Sequence, residues 1–158
     1  MKNQLNINKF NKNKYLPVWQ RMQAFTQSRS NETTDELWLL EHDPVFTQGK
    51  AGKPEHLLNP HNIPVVETDR GGQITYHGPG QIMAYTLFNL TRLKLNTRDF
   101  VCKLEQTVID CLKHYDISAN GSRDAPGIYV NGAKICSVGL RVRKGFSYHG
   151  IALNVDMD

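Results

Sequence analysis

Residues 69–81 read Asp-Arg-Gly-Gly-Gln-Ile-Thr-Tyr-His-Gly-Pro-Gly-Gln, and they constrain the fold more than any other part of the chain. Gly71, Gly72, Gly78, Gly80 and Pro79 interrupt regular structure there. The segment separates an apolar run over residues 64–68, which predicts a short strand, from one over residues 81–90, which predicts a longer strand. The loop is therefore expected to join neighbouring strands. A linker needs only glycine and small polar residues. Here the guanidinium of Arg70, the hydroxyls of Thr75 and Tyr76 and the imidazole of His77 are interleaved with glycines that allow close backbone approach to a ligand. This is the pattern of a binding loop; a plain pair of turns between strands is the alternative.

A second stretch, residues 131–155, opens on Asn131-Gly132 between Ile128-Tyr129-Val130 and Ala133-Lys134-Ile135. Asn-Gly is a strong two-residue hairpin signal, because both central positions of a type I′ turn need positive φ. Regular alternation along the returning strand puts Lys134, Cys136 and Val138 on one face and Ala133, Ile135 and Ser137 on the other. Lys134 is one cation in an apolar run. It reads as an edge-strand gatekeeper, a snorkelling side chain or a site residue.

The remaining organisation follows from periodicity. Lys2, Lys9, Lys12 and Lys14 make residues 1–14 a basic arm without acids, read as a solvated tail or a docking segment. Pro17 opens a helix whose Val18, Trp19, Met22 and Phe25 form a core face. Residues 36–41 predict a buried strand, His42-Asp43-Pro44 a turn, and residues 45–47 renewed extended structure. Thr97 is the expected cap of a helix over residues 98–115, with an apolar stripe of Phe100, Val101, Leu104, Val108, Cys111, Leu112 and Tyr115. On that helix Cys102 is a spectator and Cys111 a small buried hydrophobe, too far out of phase to pair.

The two stretches together resemble the lipoyl(octanoyl) transferase family. The resemblance rests on Glu41-His42, Pro44-Val45-Phe46-Thr47, Gly49, the loop of residues 69–81, residues 124–130, Lys134-Ile135, residues 137–141 and residues 149–155. It implies an α/β (α+β) fold with a mixed sheet flanked by helices, similar to the catalytic domains of biotin and lipoate protein ligases. Residues 15–158 would form that single domain. The implied reaction moves octanoyl from octanoyl-acyl carrier protein to a lysine of lipoyl domains of 2-oxoacid dehydrogenases and of the glycine cleavage H protein, the first step of endogenous protein lipoylation. By resemblance, Arg70, Gly71, Gly72, Gln73, Ile74, Thr75, Tyr76, His77, Ser137, Val138, Gly139, Gly150, Ile151 and Ala152 bind the acyl substrate. Lys134 would lower the pKa of a nucleophilic cysteine.

In the family that cysteine lies shortly beyond the segment matching residues 153–158, and none of Cys102, Cys111 or Cys136 stands in its place. The expectation is a domain incomplete at its C-terminus, with little or no transferase activity. A non-catalytic binder of acyl groups or acyl carrier protein is one alternative. A lipoate- or biotin-ligase-type enzyme is another, although no Walker-type phosphate loop is present.

Composition bounds the partners. With 158 residues, 39% hydrophobic content and a mean hydropathy of −0.49, the chain is one domain's worth of globular protein. No apolar run is long enough to span a bilayer, no signal peptide is read, and three cysteines do not suggest a disulfide framework, so the expected setting is cytoplasmic, with no membrane partner. A net charge of +4 is scattered, which argues against nucleic acid. Arg141, Arg143 and Lys144 cluster beside the site, fitting either an acidic carrier protein or a solvated hairpin tip. His77 and His149 read as structural hydrogen bonders and lack carboxylate or cysteine at ligand spacing; no metal and no cofactor are expected.

Overall fold

Alternating burial along strands that lie between two helices gives this chain one mixed sheet with a helix on each face. The structure, a computed structural model, describes residues 4–157. The elements in order are β1 (Leu5–Asn13), α1 (Tyr15–Ser28), β2 (Asp35–His42), β3 (Val45–Gln48), a 3-10 turn (Pro54–His56), β4 (Val65–Glu67), β5 (Ile74–His77), β6 (Gln81–Leu87), α2 (Thr97–Lys113), β7 (Asn120–Gly121), β8 (Ile128–Val130), β9 (Ala133–Arg143) and β10 (Phe146–Asn154). Seven strands form the main sheet in the order β1-β2-β6-β10-β9-β8-β7, and β4-β3-β5 form a second small sheet. The pair β1·β2 is parallel and the other neighbours in the main sheet are antiparallel.

The period of two along β10 sorts its side chains between two cores. Ala152 joins Met83, Tyr85, Leu87, Trp38 and Leu40 under α1, whose Met22 is fully buried among them. Ile151 and Leu153 pack on the other face with Cys136, Ile128 and the α2 residues Val108 and Leu112. At the Leu87 end of β6, the Asp35 carboxylate receives Arg29, Arg92 and the Asn89 N–H, and Arg29 also caps the Leu87 carbonyl at 2.7 Å.

Several expectations need correcting. The segment read as a solvated arm is, from Leu5 onward, the edge strand of the main sheet, because Leu5 to Lys9 pair in register with Asp35 to Leu39. Helix α1 begins at Tyr15, two residues before Pro17, which sits within its first turn where a missing N–H costs nothing. Cys111 is exposed, because the buried stripe of α2 runs through Phe100, Val108 and Leu112 and leaves it on the solvent flank; Tyr115, past the end of the helix, is exposed too. The loop of residues 69–81 does not join neighbouring strands: Ile74 to His77 are themselves β5, paired antiparallel with β3, so the chain passes through the small sheet before entering β6.

The cap of α2 is Asn96, not Thr97. The Asn96 side-chain oxygen accepts the Asp99 N–H at 2.9 Å, and its amide donates to the Asp99 carboxylate at 2.7 Å. Asn96→Ala is expected to cost about 1 kcal/mol in urea unfolding, whereas Thr97→Ala costs no more than about 0.5 kcal/mol; equal losses would refute this assignment.

Candidate functional site

The cleft lies on the α1 face of the main sheet, where β9 and β10 carry unusually small side chains. Its volume is about 210 Å³, below the roughly 300–1,000 Å³ of clefts that take drug-sized ligands, so it suits a slender guest. Ser137 and Gly139 of β9, Gly150 and Ala152 of β10, and Met83 and Tyr85 of β6 form its floor. Residues 70–75 and His77 close over them, Tyr15 enters from α1, and Lys134 and Pro126 stand at the exposed rim. Gly150 is required by packing, since a Cβ there would lie 2.0 Å from the Ala84 carbonyl oxygen on β6.

Lys134 reaches this cleft through a bulge. Asn131 and Gly132 have φ of 51° and 80°, as the predicted type I′ turn demands, and Val130 pairs with Ala133 and Tyr129 with Lys134. Ile128 then pairs with Cys136, leaving Ile135 as an extra residue. Ile135 and Cys136 both pack toward α2, while Lys134 lines the cleft with Ser137 and Gly139. The expected shared face of Lys134 and Cys136 is therefore wrong, because strict alternation does not survive a bulge. The Lys134 ammonium lies 5.5 Å from the centre of the Tyr129 ring and, among the described residues, has no carboxylate partner.

Arg70 anchors the loop to the small sheet. Its guanidinium donates to the Thr47 carbonyl at 2.6 Å, to Thr47 Oγ1 at 2.8 and 3.1 Å, and to the carbonyls of Gly71 and Gln73 at 2.8 Å. Burial lowers its pKa, and no carboxylate pairs with it among the described residues. Because Thr47 Oγ1 accepts from Arg70, its own proton goes to His77 Nε2 at 3.2 Å. His77 Nδ1 must then carry the ring proton, which it donates to Gln81 Oε1 at 2.7 Å. The Gln81 amide in turn donates to Asn154 Oδ1 at 2.9 Å, tying the loop to the end of β10. Burial pushes the His77 pKa down to about 3, with the nearby Arg70 guanidinium acting in the same direction.

Asp69, the residue before Arg70, fixes the same end of the loop to α1 and β10. Its carboxylate accepts Trp19 Nε1 at 3.0 Å, His149 Nε2 at 2.9 Å and the Tyr148 hydroxyl. Burial acts to raise its pKa, but those hydrogen bonds outweigh burial and hold the carboxyl well below the usual range. Consecutive strand residues normally point to opposite faces, yet Tyr148 and His149 both reach Asp69. His149 has a φ of 62°, an uncommon conformation for a residue with a Cβ, and its ring stacks on Tyr148 at 5.0 Å. With Nε2–H committed to Asp69, the neutral ring offers Nδ1 to the Tyr15 hydroxyl at 3.5 Å. His42 repeats the arrangement, donating Nδ1–H to the Asn13 carbonyl at 2.8 Å and accepting the Tyr85 hydroxyl at 2.7 Å.

Of the residues singled out in the sequence, only Tyr76 is away from the cleft. Its ring packs on Phe46 at 5.4 Å and crowds the position where a Gly78 Cβ would stand. Sequence reasoning missed Tyr15, Met83 and Tyr85, which carry no motif signal, did not single out Pro126 although it lies in the motif of residues 124–130, and treated His149 as a structural hydrogen bonder without placing it at the wall. None of the three cysteines lines the cleft: Cys136 is buried toward α2 with its thiol pushed up to about 12 by burial, and Cys102 and Cys111 are exposed on α2. Among the described residues no group of three or more His, Cys, Asp or Glu converges as metal ligands, and no helix is long and apolar enough to cross a membrane.

Comparison with known proteins adds three findings. Residues 14–158 match the family described as the lipoyl protein ligase A/B catalytic domain. The chain is 61% identical over 158 residues to an octanoyltransferase of Vibrio vulnificus, spanning 72% of it, and 65% identical over 144 residues to one of Nitrosomonas eutropha, where 91% of this chain spans 64% of the relative. A bi-partite lipoate protein ligase of Thermoplasma acidophilum has a similar fold, with a TM-score of 0.75 and 14% identity over 98% of this chain and 64% of that one.

The buried imidazoles predict an acid-sensitive fold. Burial lowers the pKa of His42, His77 and His149, whereas an unfolded histidine titrates near about 6.5. Their contribution is complete above pH 6.5 and is lost as pH falls toward the folded values, because the unfolded chain binds protons that the folded rings refuse. Urea unfolding between pH 7 and pH 4 is expected to show this decline, and His77→Gln to reduce its slope by up to about 1.4 kcal/mol per pH unit. An unchanged slope would show that His77 does not titrate in this way.

Proposed function

This chain belongs to the lipoyl protein ligase A/B catalytic-domain family, and on that premise we propose that its cleft holds an octanoyl group presented as a thioester by acyl carrier protein and destined for a lysine amine of a lipoyl domain. The observation that carries the reading is Lys134: an exposed cation, without a carboxylate partner among the described residues, at the rim of a narrow cleft that turns apolar and closed within a few residues. The identity with proteins named octanoyltransferase supports it.

Thioester-to-amine transfer through a covalent enzyme runs in two steps. A thiolate attacks the acyl carbonyl and expels the carrier thiol; the acceptor amine then attacks the acyl-enzyme and loses a proton. A thiol with an ordinary pKa near about 8.5 is mostly protonated at neutral pH, so a cation beside it raises the reactive fraction. In this reading Lys134 supplies that cation and, as a neutral amine, takes the proton from the attacking lysine. No thiol of these 158 residues faces it. The chain by itself therefore binds the octanoyl group and performs little or no transfer.

The acceptors in this reading are lipoyl domains of 2-oxoacid dehydrogenases and the glycine cleavage H protein. Arg141, Arg143 and Lys144 at the β9–β10 turn are the docking charges for the acidic donor, next to Leu140, whose carbonyl accepts the Gly71 N–H at 3.0 Å.

The test uses octanoyl-acyl carrier protein and a lipoyl domain, with intact mass of enzyme and acceptor as readout. This chain is expected to remain unmodified and to leave the acceptor unmodified. A version lengthened through the family's cysteine segment is expected to gain an octanoyl adduct and pass it on, with Lys134→Ala lowering that transfer at least about 100-fold. Acylation of the 158-residue chain at Cys136 would overturn the proposed division of labour.

A further inference from the structure

Two rows of side chains cross the sheet beneath the cleft. Ser137 on β9 is in register with Ala152 on β10, and Ala152 with Met83 on β6; the parallel row is Gly139, Gly150 and Tyr85. In both rows small side chains on β9 and β10 give way to a large one on β6, Met83 or Tyr85. Exposure falls the same way, from exposed Lys134 through half-buried Ser137 to Ala152 at 5% and Met83 at 4%. Beyond Met83 the row continues into Leu40 of β2, already part of the core. The cleft is thus a trough that runs across the strands, open at Lys134 and closed at the β6 side chains.

The two residues at the closed end differ. The Tyr85 hydroxyl is committed to His42, which fixes its ring. Met83 is unbranched, makes no polar contact and stands directly in the Ser137–Ala152 line. We propose that Met83 sets the length of the acyl chain this protein accepts, by stopping the trough at about eight carbons. The inference rests on the acyl reading of the cleft and deepens it. From β9 to β6 is two strand spacings, about 9.5 Å. An extended eight-carbon chain spans about 9 Å, at roughly 1.25 Å per bond for a C–C length near 1.5 Å and a tetrahedral angle. A ten-carbon chain overruns Met83.

The experiment measures binding of acyl-pantetheine thioesters, from four to twelve carbons, to this chain by calorimetry, with circular dichroism as a check on folding. For the unaltered chain, affinity is expected to rise roughly fourfold per carbon up to eight and to drop at least about tenfold at ten. Met83→Ala moves the optimum to ten carbons or more. Met83→Leu, one atom shorter and close in volume, reduces the ten-carbon penalty at least about threefold and serves if the alanine variant does not fold. If the unaltered chain binds none of the thioesters, the acyl reading itself falls. If it binds with a cut-off at eight carbons that neither Met83 variant moves, or shows no cut-off at eight, the acyl reading stands and Met83 is not the stop.

Discussion

The Asp69 carboxylate is the contact on which the site depends. It draws one donor from α1, Trp19, and two from β10, Tyr148 and His149. One residue later, Arg70 is solvated by the carbonyls and hydroxyl of β3 and the loop. Neighbours of opposite charge do not pair with each other here. Each is served by its own set of dipoles, one in the sheet below the cleft and one in the small sheet beside it. With Arg70 buried and Asp69 half-buried, each charge is tolerated only when its donors or acceptors are in place, so the entry to the loop is held by geometry that cannot be partly made.

The same logic explains how a cleft suited to an alkyl chain can be walled by tyrosines and histidines. Each of three neutral imidazoles donates one N–H outward, to Asn13, Gln81 or Asp69, and accepts a hydroxyl proton from Tyr85, Thr47 or Tyr15. The hydroxyls of Tyr15 and Tyr85 are thereby consumed inside the protein, and these rings show largely carbon to the cleft. Satisfied polar groups beneath a smooth wall avoid the penalty of unsatisfied ones facing a methylene chain.

Much of this was legible in the sequence because it is local. Asn131-Gly132 specifies its turn through backbone φ alone, and the glycines of residues 69–81 announce a loop that approaches its neighbours closely. Membership of the family and the mixed sheet with flanking helices were also readable from motif agreement, and both hold. The failures were contextual. Residues 5–13 alternate only over Leu5-Asn6-Ile7-Asn8 before lysines and asparagines take over, because a strand paired on one side and wet on the other needs little apolar alternation. The bulge at Ile135 is set by pairing with β8, so the faces of Cys136 and Ser137 could not be counted from Lys134. Met83 and Tyr85 look like ordinary core residues until β10 is laid beside them.

That placement of β10 has a consequence for how the protein is made. The strand is the last of those described, yet it lies at the centre of the main sheet, hydrogen-bonded to β6 on one side and β9 on the other. Until it leaves the ribosome, β6 and β9 have no shared neighbour, and the apolar residues of β6 offer an unpaired edge to any passing strand. Asp69 likewise waits for partners 79 and 80 residues later in the chain. The nascent polypeptide therefore has no cleft until β10 inserts between β6 and β9, and until then its exposed β6 edge is what a chaperone would have to cover.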